Sequence, residues 1–259
     1  GCCCGGGSWL STHHISFAGC GFMGIYYIGA TSCILERFPR FIQDASKIYG
    51  ASAGALTAAV LTLGIPLVLC KIHFWNLINP WKHRLGPLHP SFNLLQRVQD
   101  TVLNHLPEDA HVRASGKLGV SLTRVSDVKN VLVSEFDSRE ELIQVYFTVW
   151  HPFTQPYLSI QHYVDGAVTD NLPGYHLKQT ITFSPYAGES DICPQASTLN
   201  FHKVHFNNIS IQLNSENLYR VTSTFFPPEP EAMAEICHNG YKDALRFLQE
   251  NSKGIDSDC

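Results

Sequence analysis

The chain has 259 residues, of which 44% are hydrophobic and 15% are charged, and its formal net charge is −4. That length is sufficient for one large domain with a buried core. A slightly acidic chain has no overall positive field, which excludes nucleic acid as its main partner. Its nine cysteines lack paired spacing. They therefore predict reduced thiols in the cytoplasm, with no disulfide framework and no metal site.

The domain organisation follows from the ends of the chain and from the lack of a linker. Residues 1–12 begin with a Gly-Cys-Cys-Cys-Gly-Gly-Gly run and are expected to be a disordered or artefactual tail. No segment rich in Pro, Gly or Ser divides residues 13–251. We therefore expect a single domain there, followed by a short tail over residues 252–259.

Two long segments carry no Asp, Glu, Lys or Arg: one between His14 and Glu36, the other over residues 48–70. Each reaches the roughly 20 residues that a membrane-spanning helix needs. Glycines, however, interrupt both segments directly after a short β-prone run. That punctuation is typical of a buried strand that turns into a buried helix. Both segments are therefore predicted to be strand–turn–helix units.

The predicted elements alternate between strands and helices along the chain. The first unit has a strand near residues 14–18 and a helix near 22–36; the second has a strand near 47–50 and a helix near 53–63. The later elements are a helix over Phe92–Leu106, strands over Leu118–Arg124 and Asn130–Phe136, a helix that opens at Arg139 after the cap Asp137-Ser138, strands over His162–Val164 and Thr180–Phe183, and helices over Ser215–Phe225 and Glu231–Gln249. This alternation predicts a three-layer α/β/α sandwich around a mostly parallel sheet.

The second strand leads into a G-x-S-x-G pentapeptide that runs from Gly50 to Gly54 and is centred on Ser52. Between a strand and an apolar helix, this pattern indicates a nucleophile elbow. The turn is so tight that side chains at the two glycine positions would clash. It would hold the Ser52 hydroxyl at the helix N-terminus, where the helix dipole stabilises developing negative charge. The alternative is a small-residue turn that only lets helix and sheet pack closely.

A G-x-G-x-x-G motif over Gly19–Gly24 lies between the first strand and the first helix. In a dinucleotide-binding fold, the pyrophosphate lies there and an acidic residue about 20 positions later binds the ribose. Asp44 has that spacing, but it precedes the second strand instead of ending it. In a hydrolase, the same loop turns backbone N–H groups toward a tetrahedral oxyanion. The hydrolase interpretation is the favoured one.

A serine nucleophile needs a base. The chain has 13 histidines, so its composition leaves a Ser-His-Asp triad open, although none of them lies in a turn with catalytic context. Asp165 is the other candidate, because it is followed by Gly166 and ends a predicted strand. In open α/β sheets, the carboxyl ends of the strands are where sites form. By itself an Asp-Gly pair is more often only a turn.

In this chain order, the three motifs resemble those of the patatin-like phospholipase family. The resemblance implies that Ser52 is the nucleophile and Asp165 the base of a Ser-Asp dyad, which needs no metal or cofactor. It implies that the oxyanion loop consists of Gly19, Cys20 and Gly21, completed by Gly24. The expected fold is the patatin-like α/β/α sandwich.

Stretches outside these motifs are similar to the adipose triglyceride lipase subgroup of that family, from about His13 to Asn251. The resemblance implies a cytoplasmic enzyme at the lipid-droplet surface that cleaves triacylglycerol to diacylglycerol and a fatty acid. It also implies two partners, a co-activator of the α/β-hydrolase type and a small inhibitory protein. The similar stretches are Ile48–Thr57, Leu85–Leu94, Val120–Asp127, Gly188–Gln195 and Phe226–Pro230 with Gly240-Tyr241.

The chain departs from the family pattern at three places, and the longer C-terminal region that the subgroup uses for droplet attachment is expected to be missing. Val68–Lys82 does not resemble the charged helix expected there, and Met23 replaces an Arg or Lys found in many plant and bacterial members. Tyr146–Gln161 is rich in aromatic residues and proline and leads directly into Asp165. A catalytically silent lipid-binding or scaffold protein is therefore the main alternative. The aromatic and basic segment 74–84 is predicted either to meet a lipid interface or to fill the core.

Overall fold

The structure, a computed structural model, describes residues 13–69, 105–150, 162–195 and 202–256. Several predictions concern residues outside these ranges. They are the tail over 1–12, the aromatic segment 74–84, most of the helix over 92–106, and most of the divergent segments 68–82 and 146–161. None of the helices within the described ranges combines the length and the apolar character needed to cross a bilayer.

The central sheet has six strands within the described ranges, in the order β4-β3-β2-β1-β6, with β5 pairing to β3 off this path. Strands β1, β2, β3 and β6 are parallel to one another, whereas β4 and β5 are each antiparallel to β3. The mostly parallel sheet is thus confirmed. The strands are β1 (His14–Phe17), β2 (Lys47–Gly50), β3 (Leu118–Arg124), β4 (Lys129–Val133), β5 (Tyr163–Asp165) and β6 (Thr180–Phe183).

The central strands are buried on both faces. The last three residues of β1 and of β2 are buried consecutively, as are the first six residues of β3. Because successive side chains of a strand point to opposite faces, consecutive burial requires cover on both sides of the sheet. This explains why the buried residues of the first two strands lie in uncharged segments.

Seven helices flank the sheet within the described ranges, and a hairpin of β7 (Lys203–Phe206) and β8 (Ile209–Gln212) stands apart from it. The helices are α1 (Ile25–Arg37), α2 (Arg40–Gln43), α3 (Ala53–Leu63), α4 (Ala110–Ala114), α5 (Arg139–Trp150), α6 (Ser215–Phe225) and α7 (Pro230–Asp256). The hairpin and two short helices, α2 and α4, were not predicted. Helix α7 continues past the predicted domain end at residue 251.

Candidate active site

The turn between β2 and α3 is built around Ser52, which has φ 52° and ψ −128°. A positive φ is rare for a residue with a side chain and requires support from its surroundings. Glycine is required on either side. A Cβ on Gly50 would strike the backbone of Gly54, and one on Gly54 would lie 2.7 Å from the Ala18 carbonyl oxygen. The steric reason for Gly50 is therefore the tight turn that the motif predicts, whereas Gly54 makes room for the end of β1.

The Ser52 side chain is 8% exposed and occupies the N-cap position of α3. Serine at this position usually accepts a hydrogen bond from a backbone N–H of the first helical turn. Here the side chain makes no such capping bond. The Ser52 hydroxyl instead faces the Asp165 carboxylate, where it acts as a donor that opposes the rise in the pKa of Asp165.

Strand pairing explains how Asp165 reaches Ser52. On one edge of β3, Gly50 of β2 pairs with Val120, and Asp165 of β5 pairs with Leu122. Because β2 leaves the sheet at Gly50 to form the elbow, the remainder of that edge is open to β5. This corrects one expectation: β5 is antiparallel to β3, so Asp165 is not at the carboxyl edge of a parallel strand. Asp165 lies next to the elbow because β5 pairs with the part of the β3 edge that lies beyond the end of β2.

The Asp165 carboxylate is held by its own loop. The backbone N–H of Ala167 donates to Asp165 Oδ1 at 2.9 Å, and the Thr123 hydroxyl donates to the Asp165 carbonyl oxygen at 3.0 Å. A Cβ on Gly166 would strike the backbone and the hydroxyl of Ser121, which explains the glycine of the Asp-Gly pair. Burial raises the pKa of Asp165, while the bonds from Ala167 and Ser52 oppose that rise.

The glycine loop closes the site from the side of β1. A Cβ on Gly19 would lie 2.9 Å from the Ser52 Cβ and 3.2 Å from the Ala167 Cβ. Only glycine allows the loop so close to both the elbow and the loop after Asp165. The structure thus brings all three motifs together at one point.

The other glycines of this loop fix its path. Gly21 has φ 50°, and a Cβ there would strike the Thr224 carbonyl oxygen on α6. A Cβ on Gly24 would lie 3.3 Å from the Ala53 Cβ in the first turn of α3. Gly19 is packed on Ser52, where a dinucleotide-binding loop would leave room for the pyrophosphate. This contact disfavours the dinucleotide-binding interpretation.

Asn171, which the sequence analysis did not single out, accepts hydrogen bonds from the backbone N–H of Gly19. The Gly19 N–H donates to Asn171 Oδ1 at 2.9 Å and to the Asn171 carbonyl oxygen at 3.2 Å. This corrects the expectation that Gly19 supplies an oxyanion donor. The backbone N–H groups of Cys20 and Gly21 have no hydrogen-bond acceptor among the described residues. They are the N–H groups of the loop left for an oxyanion.

Two other side chains of the loop are buried in the core. Cys20 is 1% exposed, and burial raises the pKa of its thiol far above the ordinary range, so it carries no charge. Met23 is also buried. The position where many family members have a basic residue therefore contributes apolar packing here. The loop acts on the site through its backbone.

The sheet order, the elbow and the Ser52–Asp165 pair define an α/β protein with a serine–aspartate site. Residues 15–175 match the family model described as Patatin-like phospholipase. The chain belongs to the patatin-like phospholipase family.

Comparison with known proteins places this chain close to the predicted subgroup. The human patatin-like phospholipase domain-containing protein 2, which is adipose triglyceride lipase, is 51% identical over 246 residues. That alignment covers 93% of this chain and 49% of the relative. The human protein named 1-acylglycerol-3-phosphate O-acyltransferase is 42% identical over 93% of this chain and 51% of its own length. The chain thus spans about half the length of the curated relatives it matches.

A solved structure supports the fold. The crystal structure of VipD from Legionella pneumophila aligns with a TM-score of 0.50 and covers 93% of this chain and 67% of that chain. The two sequences are 16% identical, so the likeness concerns the fold alone.

Proposed function

We propose that the chain is a serine acyl hydrolase that cleaves carboxylic esters of acylglycerols, converting triacylglycerol to diacylglycerol and a fatty acid. The observation that carries the proposal is that the Ser52 hydroxyl faces the Asp165 carboxylate, beside two N–H groups of the glycine loop. Family membership and the 51% identity to human patatin-like phospholipase domain-containing protein 2 support it.

In the first step, Asp165 takes the Ser52 proton as the serine oxygen attacks the acyl carbonyl carbon. The raised pKa of Asp165 makes it a stronger base than an ordinary carboxylate. The Cys20 and Gly21 N–H groups donate to the tetrahedral oxyanion, and the N-terminus of α3 adds its dipole. Losing one such donor costs about 3 kcal/mol in the transition state.

In the second step, protonated Asp165 gives its proton to the departing alkoxide, which leaves the acyl group on Ser52. Asp165 then deprotonates a water molecule that attacks the acyl-enzyme, and it gives this proton to the Ser52 oxygen as the fatty acid is released. An alcohol that replaced this water would accept the acyl group instead. Product analysis with and without an added lysophospholipid distinguishes hydrolysis from transfer.

The surface of helix α6 supports the proposal that the protein acts at a lipid surface. Its inward face is polar, with Asn217 1% exposed and Ser223 4% exposed. Its outward face is apolar, with Leu218 67% exposed and Phe225 68% exposed. A helix with this reversed pattern favours an apolar partner over water, as interfacial helices do. On this basis we propose that the chain acts at the lipid-droplet surface, and the two protein partners implied by the resemblance stay predictions.

Hydrolysis of emulsified triacylglycerol by purified protein tests the proposal. Ser52→Ala should lower kcat by at least about 10³-fold, because the nucleophile is lost. Ser32→Ala is the matched control, since Ser32 is also 8% exposed but lies on α1. A fluorophosphonate probe should label the wild type and not Ser52→Ala. Turnover that survives Ser52→Ala would refute the dyad. A wild type that binds lipid without turnover would support the scaffold alternative.

A further inference from the structure

One side chain joins the loop after Asp165 to the glycine loop. Asn171 Oδ1 accepts from the Gly19 N–H at 2.9 Å, and Asn171 Nδ2 donates to the Gly19 carbonyl oxygen at 3.2 Å. Asn171 is 8% exposed, so water competes little for these bonds. The amide of Asn171 therefore fixes the peptide units on both sides of Gly19.

The second of these bonds acts on the candidate oxyanion hole. The Gly19 carbonyl group and the Cys20 N–H belong to the same planar trans peptide unit, so they point in opposite directions. Holding the carbonyl oxygen on Asn171 aims the Cys20 N–H away from Asn171. We propose that Asn171 is a positioning residue that sets the Cys20 N–H for the oxyanion. This inference rests on the proposed hydrolase function.

Asn171 is itself held in place by the β7–β8 turn. The Asn171 N–H donates to the Asn207 carbonyl oxygen at 2.9 Å. The Asn207 side chain donates to the carbonyl oxygens of Ala167 at 2.9 Å and Val168 at 2.6 Å. The segment from Asp165 to Asn171 is thus braced as one unit. Base and oxyanion hole are positioned by a single loop.

Comparing a carboxylic ester with its thionoester tests the inference. The thionoester develops its charge on sulfur, a weak hydrogen-bond acceptor, so it gains little from the oxyanion hole. Asn171→Ala should lower kcat for the ester by about 10–100-fold with KM little changed. The rate for the thionoester should change much less. The ester-to-thionoester rate ratio should therefore fall, which a general loss of structure would not produce.

Asn171→Asp separates the effects of the two hydrogen bonds between Asn171 and Gly19. It keeps the size of the side chain and an acceptor for the Gly19 N–H, but it places a carboxylate oxygen against the Gly19 carbonyl oxygen. We expect the same fall in the rate ratio as in Asn171→Ala. If the alanine variant does not fold, the aspartate variant carries the test.

Ser115→Ala is the matched control. The Ser115 hydroxyl also pairs with both backbone groups of one residue: it accepts from the Phe136 N–H at 2.9 Å and donates to the Phe136 carbonyl oxygen at 3.3 Å. It should lower Tm as Asn171→Ala does and leave the rate ratio unchanged. A wild-type ratio in the folded Asn171 variants, with Ser52-dependent hydrolysis intact, would overturn the inference alone. A wild type without Ser52-dependent hydrolysis would overturn the proposed function and the inference with it.

Discussion

At the scale of single residues, the backbone of Ser52 and the environment of Asp165 decide the chemistry. Ser52 holds φ 52°, a conformation that costs on the order of 1–3 kcal/mol and persists only where the surroundings enforce it. Its hydroxyl does not cap α3 and faces the Asp165 carboxylate instead. The strain thus presents the nucleophile to its base.

The pH dependence of hydrolysis follows from the raised pKa of Asp165. Asp165 must be ionised to take the Ser52 proton, so kcat/KM should rise with pH through the Asp165 pKa. We expect the midpoint to lie above the ordinary aspartate value of about 3.9. Asp191→Asn is the control and should leave the profile unchanged, since Asp191 bonds to Thr182 at the edge strand β6. A profile without an acidic limb would contradict the role of Asp165.

At the scale of elements, α6 packs against the candidate site with one face and is exposed to solvent on the other. Its Thr224 carbonyl oxygen lies against Gly21 of the glycine loop. The next two residues, Phe225 and Phe226, are 68% and 60% exposed. The helix thus brings apolar side chains to the neighbourhood of the candidate oxyanion hole. A lipid surface that covers them would lie near Ser52.

Replacing Phe225 and Phe226 together by serine tests this arrangement. Burial of one phenylalanine contributes about 2 kcal/mol, so binding to phospholipid-coated triacylglycerol emulsions should weaken by at least about 30-fold. Hydrolysis of a soluble short-chain ester should stay at the wild-type rate. Val112→Ser is the control, because Val112 is a 66% exposed apolar residue on α4. Flotation with emulsion droplets measures binding, and equal binding by all three proteins would remove the proposed surface.

At the scale of the whole molecule, the sheet brings together residues that are far apart in the chain. The bond between Gly19 and Asn171 joins positions 152 residues apart. The edge of β3 is shared between β2 and β5, which sets Asp165 beside the elbow. The site exists only when the sheet is complete.

We expect the ionised Asp165 carboxylate to destabilise the folded state at neutral pH. Because the pKa of Asp165 is raised in the folded state, its contribution to stability is present at low pH and is lost as pH rises through that pKa. Asp165→Asn should therefore match or exceed the wild-type Tm at neutral pH while hydrolysis is lost. The gap in Tm should close as the pH is lowered below the ordinary aspartate pKa. Thermal unfolding across pH measures this, and a lower Tm at neutral pH would contradict it.

Much of the local structure could be predicted because its causes are local. The bounds of β3, β6 and α6 agree with the predictions from hydrophobic pattern. The cap before α5 is confirmed: the Glu141 N–H donates to the Ser138 hydroxyl at 3.1 Å, and the Asp137 N–H donates to the Glu141 carboxylate at 2.7 Å. These bonds span at most four residues, so short sequence patterns encode them. The clash that requires Gly50 is equally local, whereas the one that requires Gly54 is with Ala18, directly after β1.

The sequence therefore determined the elements, the elbow and the family resemblance, since each depends on neighbouring residues. Only the tertiary structure decided that β5 runs antiparallel to β3, that Asn171 holds Gly19, and that the apolar face of α6 points outward. Strand direction and partner choice depend on which edge remains open after the other strands have paired. A polar residue such as Asn171 gives no periodic signal, and its role depends on a backbone group distant in sequence.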